Sequence, residues 1–475
     1  MGEIISPIER KNNLYFVVMK NRERIQLFLH DVPYRSIWEL VWPQTAAILC
    51  MLVISLTDIY VGGKISSEVQ ASIGISTQLH ALFMVLGTSL GAGAMAAVTQ
   101  SLGAKRFRRA RLYSGFVLIY AFCVAILLAL AGYAFRYPIM ELLQVEESML
   151  EMAIIFFNYV LFCLPFQYTC YLSSVLFRAT KEVIKPLLIM IIIAVLNTIG
   201  DFALGLGYLG CPEWGGEGIA FTTWISYTLG ALISVIALYK DNIFEKYIIP
   251  QLSWMKKAAP YLFKVSIPAL TMQFLWQLGY LVLFGIVAAL PDSVSALAGL
   301  TAGMRIESIL FMPAIAFNAT ASIMVGNALG AGKKEDAKKI GLAIILFGTI
   351  LMTTVGLCML PFVNTLAEFF SADLDAQWNI EVYVYINIIC TPFTVAGLVV
   401  NGIMVGAGAT VYALIINPIC VWCIRLPLGI LLAHTLGYGS IGVYVVMLFS
   451  MAIQSTCMFL VFLKANWTRY TLRKV

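Results

Sequence analysis

Long apolar runs separated by short polar turns dominate the chain from about residue 37 to about residue 463. Each run reaches the roughly 20 residues that an α-helix needs to cross the hydrocarbon core of a bilayer. Lipid offers no partners for backbone N–H and C=O groups, so helices are the structure that these runs favour. The twelve predicted spans are about 37–61, 72–99, 113–135, 150–175, 186–207, 218–239, 261–289, 295–326, 341–362, 381–404, 412–435 and 441–463.

The two halves of the chain resemble each other in the same orientation. Pro43 and Pro268, each in the first span of its half, lie 225 residues apart. The turns at Leu102-Gly103-Ala104-Lys105 and Leu329-Gly330-Ala331-Gly332 lie 227 residues apart. An even number of spans in each half gives a parallel repeat, in which the substrate path runs between the halves. We therefore predict an all-α polytopic membrane protein with twelve transmembrane helices in two pseudo-symmetric six-helix lobes.

Each lobe is expected to be flanked by a polar segment. The predicted organisation is a cytoplasmic N-terminal segment at 1–36, an N-terminal lobe at 37–239, a cytoplasmic linker between the lobes at 240–260, a C-terminal lobe at 261–463 and a cytoplasmic tail at 464–475.

The composition agrees with a membrane protein. Of the 475 residues 61% are hydrophobic and only 12% are charged, with a mean hydropathy of +0.89. A soluble protein of this size carries roughly twice that charged fraction. The formal charge of +6 is explained by basic residues that face anionic lipid, so it predicts no nucleic-acid partner.

The basic residues fix the predicted orientation. All but four of the 31 Lys and Arg residues lie in the N-terminal tail, the even-numbered loops or the C-terminal tail. Cytoplasmic loops carry such an excess. No signal peptide is evident, and the first apolar run is long enough to span and remain in place. We expect a multi-pass protein of the inner membrane with both termini in the cytoplasm.

Ionisable groups within the predicted spans are few and costly, which makes them candidates for function. Asp58 lies on span 1, while Asn197 and Asp201 lie four residues apart on span 5 and so share one helix face. Thr223 is in the first part of span 6, in the same half of the chain. These four residues could therefore converge near the outer end of the first lobe.

Two carboxylates with an amide and a hydroxyl are hard oxygen ligands suited to a small cation such as Na⁺. Alternatively, two close carboxylates in a low-dielectric surrounding cannot easily both be charged, and such a pair can carry a proton. A purely structural role is a third interpretation, with Asp58 reaching the outer interface and Asp201 capping a helix. The corresponding positions of the second half do not repeat these acids, so any coupling chemistry is expected in the first half only.

The second half has its own intramembrane charges. Glu307 on span 8 either forms an internal ion pair with Arg425 on span 11 or lines a cavity and attracts cationic substrate. Methionines and aromatic residues could supply an adaptable apolar pocket, although each alone is more typical of packing. The candidate cavity residues are Tyr171, Met190, Gln277, Glu307 and Arg425.

Several of these segments together resemble the multidrug and toxic compound extrusion (MATE) family. They are the proline-bearing first span with Thr57-Asp58-Ile59-Tyr60-Val61-Gly62-Gly63, the two Leu-Gly-Ala turns, Leu196-Asn197-Thr198-Ile199-Gly200-Asp201 and Gly218-Ile219-Ala220-Phe221-Thr222-Thr223. The resemblance covers about residues 37–463. It implies a two-lobed antiporter, not an enzyme, that exports amphipathic or cationic organic compounds in exchange for Na⁺ or H⁺.

The resemblance is closest to the DinF-like branch of that family. It implies a cation or proton site at Asp58, Asn197, Asp201 and Thr223, and a helix bend at Pro43. The NorM-like branch carries acids on spans 7 and 10, where this chain has Gln277 and Thr394.

The expected partners are small organic molecules and the lipid bilayer, with no cofactor besides the coupling ion, and the protein is expected to be a monomer. Competing interpretations are a flippase for lipid-linked oligosaccharides or lipids, a membrane enzyme and a channel. A flippase would need a strongly cationic central cavity, for which only Arg305 and Arg425 are available within the spans.

Overall fold

The computed structural model describes residues 34–243 and 250–472, and within them twelve helices are long and apolar enough to cross a membrane. The predicted all-α class and the number of spans are confirmed. The helices are α1 (Tyr34–Ile65), α2 (Ser67–Gly103), α3 (Phe107–Ala134), α4 (Glu147–Ala179), α5 (Ile184–Gly205), α6 (Gly216–Lys240), α7 (Leu252–Ala288), α8 (Ser293–Gly330), α9 (Lys334–Phe370), α10 (Leu374–Ala407), α11 (Thr410–Thr435) and α12 (Gly439–Lys464).

Several helices extend beyond the apolar runs that predict them. α7 begins at Leu252, inside the segment that the sequence assigned to the linker between the lobes. α9 continues through a 3₁₀ turn at Leu360–Phe362 and ends at Phe370. These extra turns are polar or flank prolines, so hydropathy alone carries no signal for them. Residues 1–33, 244–249 and 473–475, which include much of the predicted cytoplasmic segments, lie outside the described residues.

Each six-helix lobe has an apolar core of its own. In the N-terminal lobe, α1–α6, buried residues of α2, α3, α4 and α6 pack together around Leu164, Tyr168 and Phe177. The C-terminal lobe, α7–α12, has two such clusters, one around Phe317 and one around Tyr383. Many large apolar side chains remain exposed on the outer helix surfaces, which suits a protein that is solvated by lipid.

The first helix begins and the last helix ends on the same side of the molecule, because the number of spans is even. This side, where α1 begins and α12 ends, is the terminal face. Two hydrogen bonds between the lobes lie in this half of the molecule: Gln44 Nε2 donates to Thr320 Oγ1 at 3.0 Å, and Gln100 Nε2 donates to the Gly406 carbonyl at 2.8 Å. A third, from Thr88 Oγ1 to Gln273 Oε1 at 2.9 Å, lies near the middle of α2 and α7.

The ends of α2 and α8 meet at the terminal face in a contact that we call the glycine seam. A Cβ atom at Gly103 would overlap the Asn327 carbonyl oxygen, and a Cβ atom at Gly330 would overlap the Gln100 carbonyl oxygen. Only glycine allows two helix backbones to approach this closely. The seam closes the groove between the lobes on the terminal side.

α1 belongs to both lobes. Its first turns bury Ile37, Leu40 and Val41 in the core of the C-terminal lobe. Its last turns bury Val61 in the N-terminal lobe against α2 and α6. Pro43 lies between these two parts, inside a continuous helix.

Candidate functional site

Three helices of the N-terminal lobe bring the predicted acids together. α1 supplies Asp58, α5 supplies Asn197 and Asp201, and α6 supplies Thr223. The Asn197 amide donates a hydrogen bond to Thr223 Oγ1 at 3.0 Å and also lies within hydrogen-bond reach of the Asp58 carboxylate. The carboxyl groups of Asp58 and Asp201 are in direct contact. We call these four residues the acid site.

The acid site has more acceptors than donors. Asn197 and Asp201 are 0% exposed. Four oxygens are buried without any hydrogen bond from a neighbouring group: Asp58 Oδ1, Asn197 Oδ1 and both carboxyl oxygens of Asp201. Buried polar atoms in folded proteins are nearly always satisfied, and two adjacent carboxylates also repel each other. A proton shared between the acids or a small cation among the oxygens would satisfy both requirements, so the residues fit either ion.

The local backbone of α5 explains how Asp201 reaches this position. The regular helix ends at Gly200, and Asp201 begins a π-helical turn that runs to Gly205. Gly200 and Gly218 allow α5 and α6 to pack closely here, because a Cβ atom at Gly200 would overlap the Thr222 side chain. A π turn widens the helix and is frequent at functional sites. It directs Asp201 toward α1.

A cavity of about 630 Å³ lies between the two lobes. Its size is within the range of sites for drug-sized molecules. It is lined by α1, α2, α4, α5 and α6 of the first lobe and by α7, α8, α10 and α11 of the second. Two of the residues that the sequence suggested for a cavity, Tyr171 and Met190, line this one. We call it the central cavity.

The charge of the central cavity comes from the N-terminal lobe. The lining residues in the described part of the chain include Arg178 and His80 but no Asp or Glu. Amide side chains contribute further polarity, among them Gln44, Gln167 and Gln273. The cavity is therefore apolar with a few polar groups and a single formal charge.

α6 links the acid site to the central cavity. Thr223 belongs to the acid site, and Tyr227, one helical turn further on, lines the cavity. Residues four apart lie on the same helix face. A change at the acid site can therefore reach the cavity wall through one turn of helix.

Glu307 lies in a separate part of the C-terminal lobe. Its carboxylate accepts hydrogen bonds from the Tyr383 hydroxyl and from Asn387 Nδ2, the latter at 3.3 Å. The pocket at Glu307 is small and also includes Thr394. Glu307 lines this pocket of the C-terminal lobe and not the central cavity, and its attraction of cationic substrate stays a prediction.

Arg425 is buried elsewhere in the same lobe, and no ion pair joins it to Glu307 among the described residues. Its Nε donates to Ser450 Oγ at 2.9 Å, and its guanidinium lies over the rings of Trp276 and Tyr280. A direct pair between Glu307 and Arg425 is absent because the Glu307 carboxylate accepts hydrogen bonds from Tyr383 and Asn387. The Arg425 guanidinium instead contacts Ser450 on α12 and the two aromatic rings on α7.

The remaining predicted residues are less central. Gln277 is exposed on α7 and does not line the central cavity, in contrast to the expectation from the sequence. Arg305 is exposed on α8. Arg178, which sequence reasoning counted among loop charges, is in the last turn of α4 and lines the central cavity. Hydropathy cannot distinguish a basic residue in a loop from one in a last helical turn that faces inward.

Comparison with known proteins bears on the whole chain. A family model described as MatE matches residues 43–203 and again residues 268–431. The two matches begin at the corresponding prolines of α1 and α7, in agreement with the repeat in the sequence.

Relatives and solved structures cover nearly the full chain. The chain is 25% identical over 469 residues to a probable multidrug resistance protein NorM of Thermotoga maritima, covering 94% of this chain and 97% of that protein. It is 23% identical over 349 residues to an FAD transporter of Shewanella oneidensis, covering 72% of this chain and 76% of that protein. The fold is similar to that of the Vibrio cholerae MATE transporter VcmN in the bent form, with a TM-score of 0.83, 21% identity and coverage of 92% of this chain and 98% of that one.

Proposed function

Because this chain belongs to the MatE family, whose members are transporters and not enzymes, we propose that it exports organic compounds by antiport and that the acid site binds the coupling ion. The protein is a multi-pass membrane transporter that extrudes small organic compounds. The observation that carries the coupling proposal is the set of four buried acceptor oxygens without donors, one helical turn from the central cavity.

The coupling ion, Na⁺ or H⁺, enters the acid site from the face opposite the terminal face. A proton would be shared between Asp58 and Asp201 and would remove the repulsion between them. A sodium ion would be held by the carboxylate, amide and hydroxyl oxygens of the acid site. In both cases the ion pulls α1, α5 and α6 together at this point.

α1 transmits this change between the lobes. It carries Asp58 near one end and is packed into the C-terminal lobe at the other, with Pro43 between. Proline removes one backbone hydrogen bond and so weakens the helix locally. Ion binding bends α1 near Pro43, alters the wall of the central cavity and releases substrate on the side opposite the terminal face.

The substrates are amphipathic organic compounds that fit the central cavity. The flippase alternative has less support, because Arg178 is the only Lys or Arg among the described residues that line this cavity, and neither Arg305 nor Arg425 does. The resemblance implied amphipathic or cationic substrates, and one interpretation of Glu307 had it attract cations, but Glu307 lies in a separate pocket. We further propose that the protein is a monomer in the inner membrane, with the terminal face in the cytoplasm.

Efflux from vesicles that contain the purified protein tests the proposal. A Na⁺ gradient and a pH gradient are imposed separately, and transport of a fluorescent anion and a fluorescent cation built on the same ring is measured. We expect one gradient to drive export and Asp201→Asn to remove the effect of that gradient. Equal transport without any gradient, or full gradient-driven export by Asp201→Asn, would contradict the assignment.

A further inference from the structure

The central cavity has one formally charged lining residue in the described part of the chain, and that charge is positive. Arg178 in the last turn of α4 faces the cavity, whereas no carboxylate lines it. A cavity that selects organic cations would carry the opposite sign, because an unpaired cation near a low-dielectric wall repels another. The positive sign of the Arg178 charge therefore bears on the charge of the substrate.

The Arg178 guanidinium is held by uncharged partners. Its Nε donates to the Ser174 carbonyl at 3.2 Å, and its guanidinium lies near the Tyr171 hydroxyl. Neither partner neutralises the charge, and no ion pair to Arg178 is present among the described residues. These contacts fix the side chain while its positive charge remains available to a ligand.

Other donors lie at the same end of the cavity, the end nearer the terminal face. The Ser322 hydroxyl on α8 lines the cavity, is 3% exposed and has no hydrogen-bond partner. The N-terminal ends of α5 and α11, at Val183 and Thr410, also border the cavity. Helix N-termini carry partial positive charge and favour anions.

The opposite part of the cavity is suited to an apolar body. Met51 and Met84 line this part, while Met190 and the ring of Tyr171, whose hydroxyl lies near Arg178, add apolar lining to the cavity. Methionine adapts its shape to different ligands. The cavity thus has a positive, donor-rich end and a mainly apolar, adaptable remainder that also holds His80 and amide side chains.

We propose that the exported compounds are organic anions, in which a carboxylate, sulfonate or phosphate group binds Arg178 and an apolar or aromatic body fills the rest of the central cavity. Arginine binds such groups through two parallel hydrogen bonds, which lysine cannot reproduce. The inference rests on the proposed function, since it assigns the substrate class of the same transporter.

A matched ligand series tests the charge preference. The purified protein in phosphatidylcholine nanodiscs is examined by equilibrium dialysis with 1-naphthaleneacetate, its neutral amide and the cation 2-(1-naphthyl)ethylamine. We expect the carboxylate to bind on the order of 10-fold more tightly than the amide, and the cation to bind most weakly. Equal affinities, tightest binding of the cation or no binding of any of the three would overturn the proposal.

Variants of Arg178 separate ligand recognition from a purely structural role. Arg178→Gln should weaken carboxylate binding by on the order of 10-fold and leave amide binding within about 2-fold, whereas Arg178→Lys should retain part of the preference. A melting curve of each variant reports whether it is folded. If Arg178→Gln weakened both ligands equally, or kept the preference, the guanidinium would have no role in recognition. Arg469→Gln, outside the spans, is the matched control and should behave as wild type.

The anionic group can come from a water-soluble compound or from a lipid headgroup. The dialysis is therefore repeated in nanodiscs that contain phosphatidylglycerol. Competition with the carboxylate that disappears in Arg178→Gln would support the site and identify the membrane as one source of ligand; unchanged binding would support a water-soluble substrate. Anion preference with no response to either ion gradient would refute the coupling proposal alone.

Discussion

The two lobes share one scaffold but carry different chemistry at corresponding places. α5 of the first lobe ends in a π turn at Asp201–Gly205, and α11 of the second lobe contains π turns at Cys420–Arg425 and Leu431–Thr435. The first lobe uses this widened helix to direct an acid toward α1, whereas the second directs Arg425 toward Ser450 and two aromatic rings. The helix irregularity thus belongs to the repeat, and the pair of buried acids belongs to one copy.

The number of buried acceptors without donors differs between the two lobes. The acid site leaves four oxygens without donors. The Glu307 carboxylate, in contrast, accepts hydrogen bonds from Tyr383 and Asn387, so an ion is less needed there. A buried acid is a candidate for ion binding when its surroundings fail to satisfy it, and a structural residue when they succeed.

The largest effect is expected from removing an acid. Asp58→Asn should lower gradient-driven export by at least about 10-fold, because a neutral amide can neither take up a proton nor hold a cation as strongly. The double variant Asp58→Asn/Asp201→Asn should be no worse than either single variant, since the two acids act as one unit. Vesicle efflux measures both.

Asp292→Asn is the matched control for this comparison, because Asp292 is exposed between α7 and α8 and its side chain makes no capping hydrogen bond. Two outcomes would contradict the proposal that the two acids act as one unit. One is loss of export in the control, and the other is a loss in the double variant equal to the product of the losses in the single variants.

A smaller effect is expected at Thr223. Thr223→Val keeps the shape of the side chain but removes the acceptor of the Asn197 amide, at a cost of about 1 kcal/mol or roughly 5-fold in ion affinity. The half-saturating concentration of the coupling ion is the measurement. Thr228→Val on the same helix is the control, because that hydroxyl bonds only the Trp224 carbonyl of its own helix. An unchanged ion dependence would exclude Thr223 from the acid site.

Glu307 is the sharpest test of the difference between the lobes. Glu307→Gln should leave ion coupling within about 2-fold and lower the free energy of unfolding by about 1 kcal/mol, since it weakens two hydrogen bonds to a charged group. Efflux and thermal denaturation are measured side by side, with Glu381→Gln on α10 as the control. If coupling fell as far as in Asp58→Asn, the second lobe would also carry coupling chemistry.

The smallest effect is expected at Gln277. This residue is exposed on α7 and lines no part of the central cavity. Gln277→Ala should therefore leave export and its ion dependence unchanged in the vesicle assay. A changed Na⁺ dependence would place a coupling group on α7 and remove the asymmetry between the lobes.

The sequence predicts the number of helices well, because a span must be apolar over a length that the bilayer fixes. It also predicts the grouping of the acids, since Asn197 and Asp201 share a helix face and the acids are otherwise costly in lipid. It does not predict the surroundings of Glu307, because Tyr383 and Asn387 come from another helix and depend on its rotation. Arg178 was missed because the same positive residues mark loops and last helical turns.

The glycine seam has the symmetry of an isologous dimer interface. Gly103 meets Asn327 and Gly330 meets Gln100, so each half presents the same surface to the other. The single chain therefore joins two halves that meet through equivalent surfaces. Because Gly103 and Gly330 lie in one contact between the ends of α2 and α8, a side chain added to either glycine separates both pairs together.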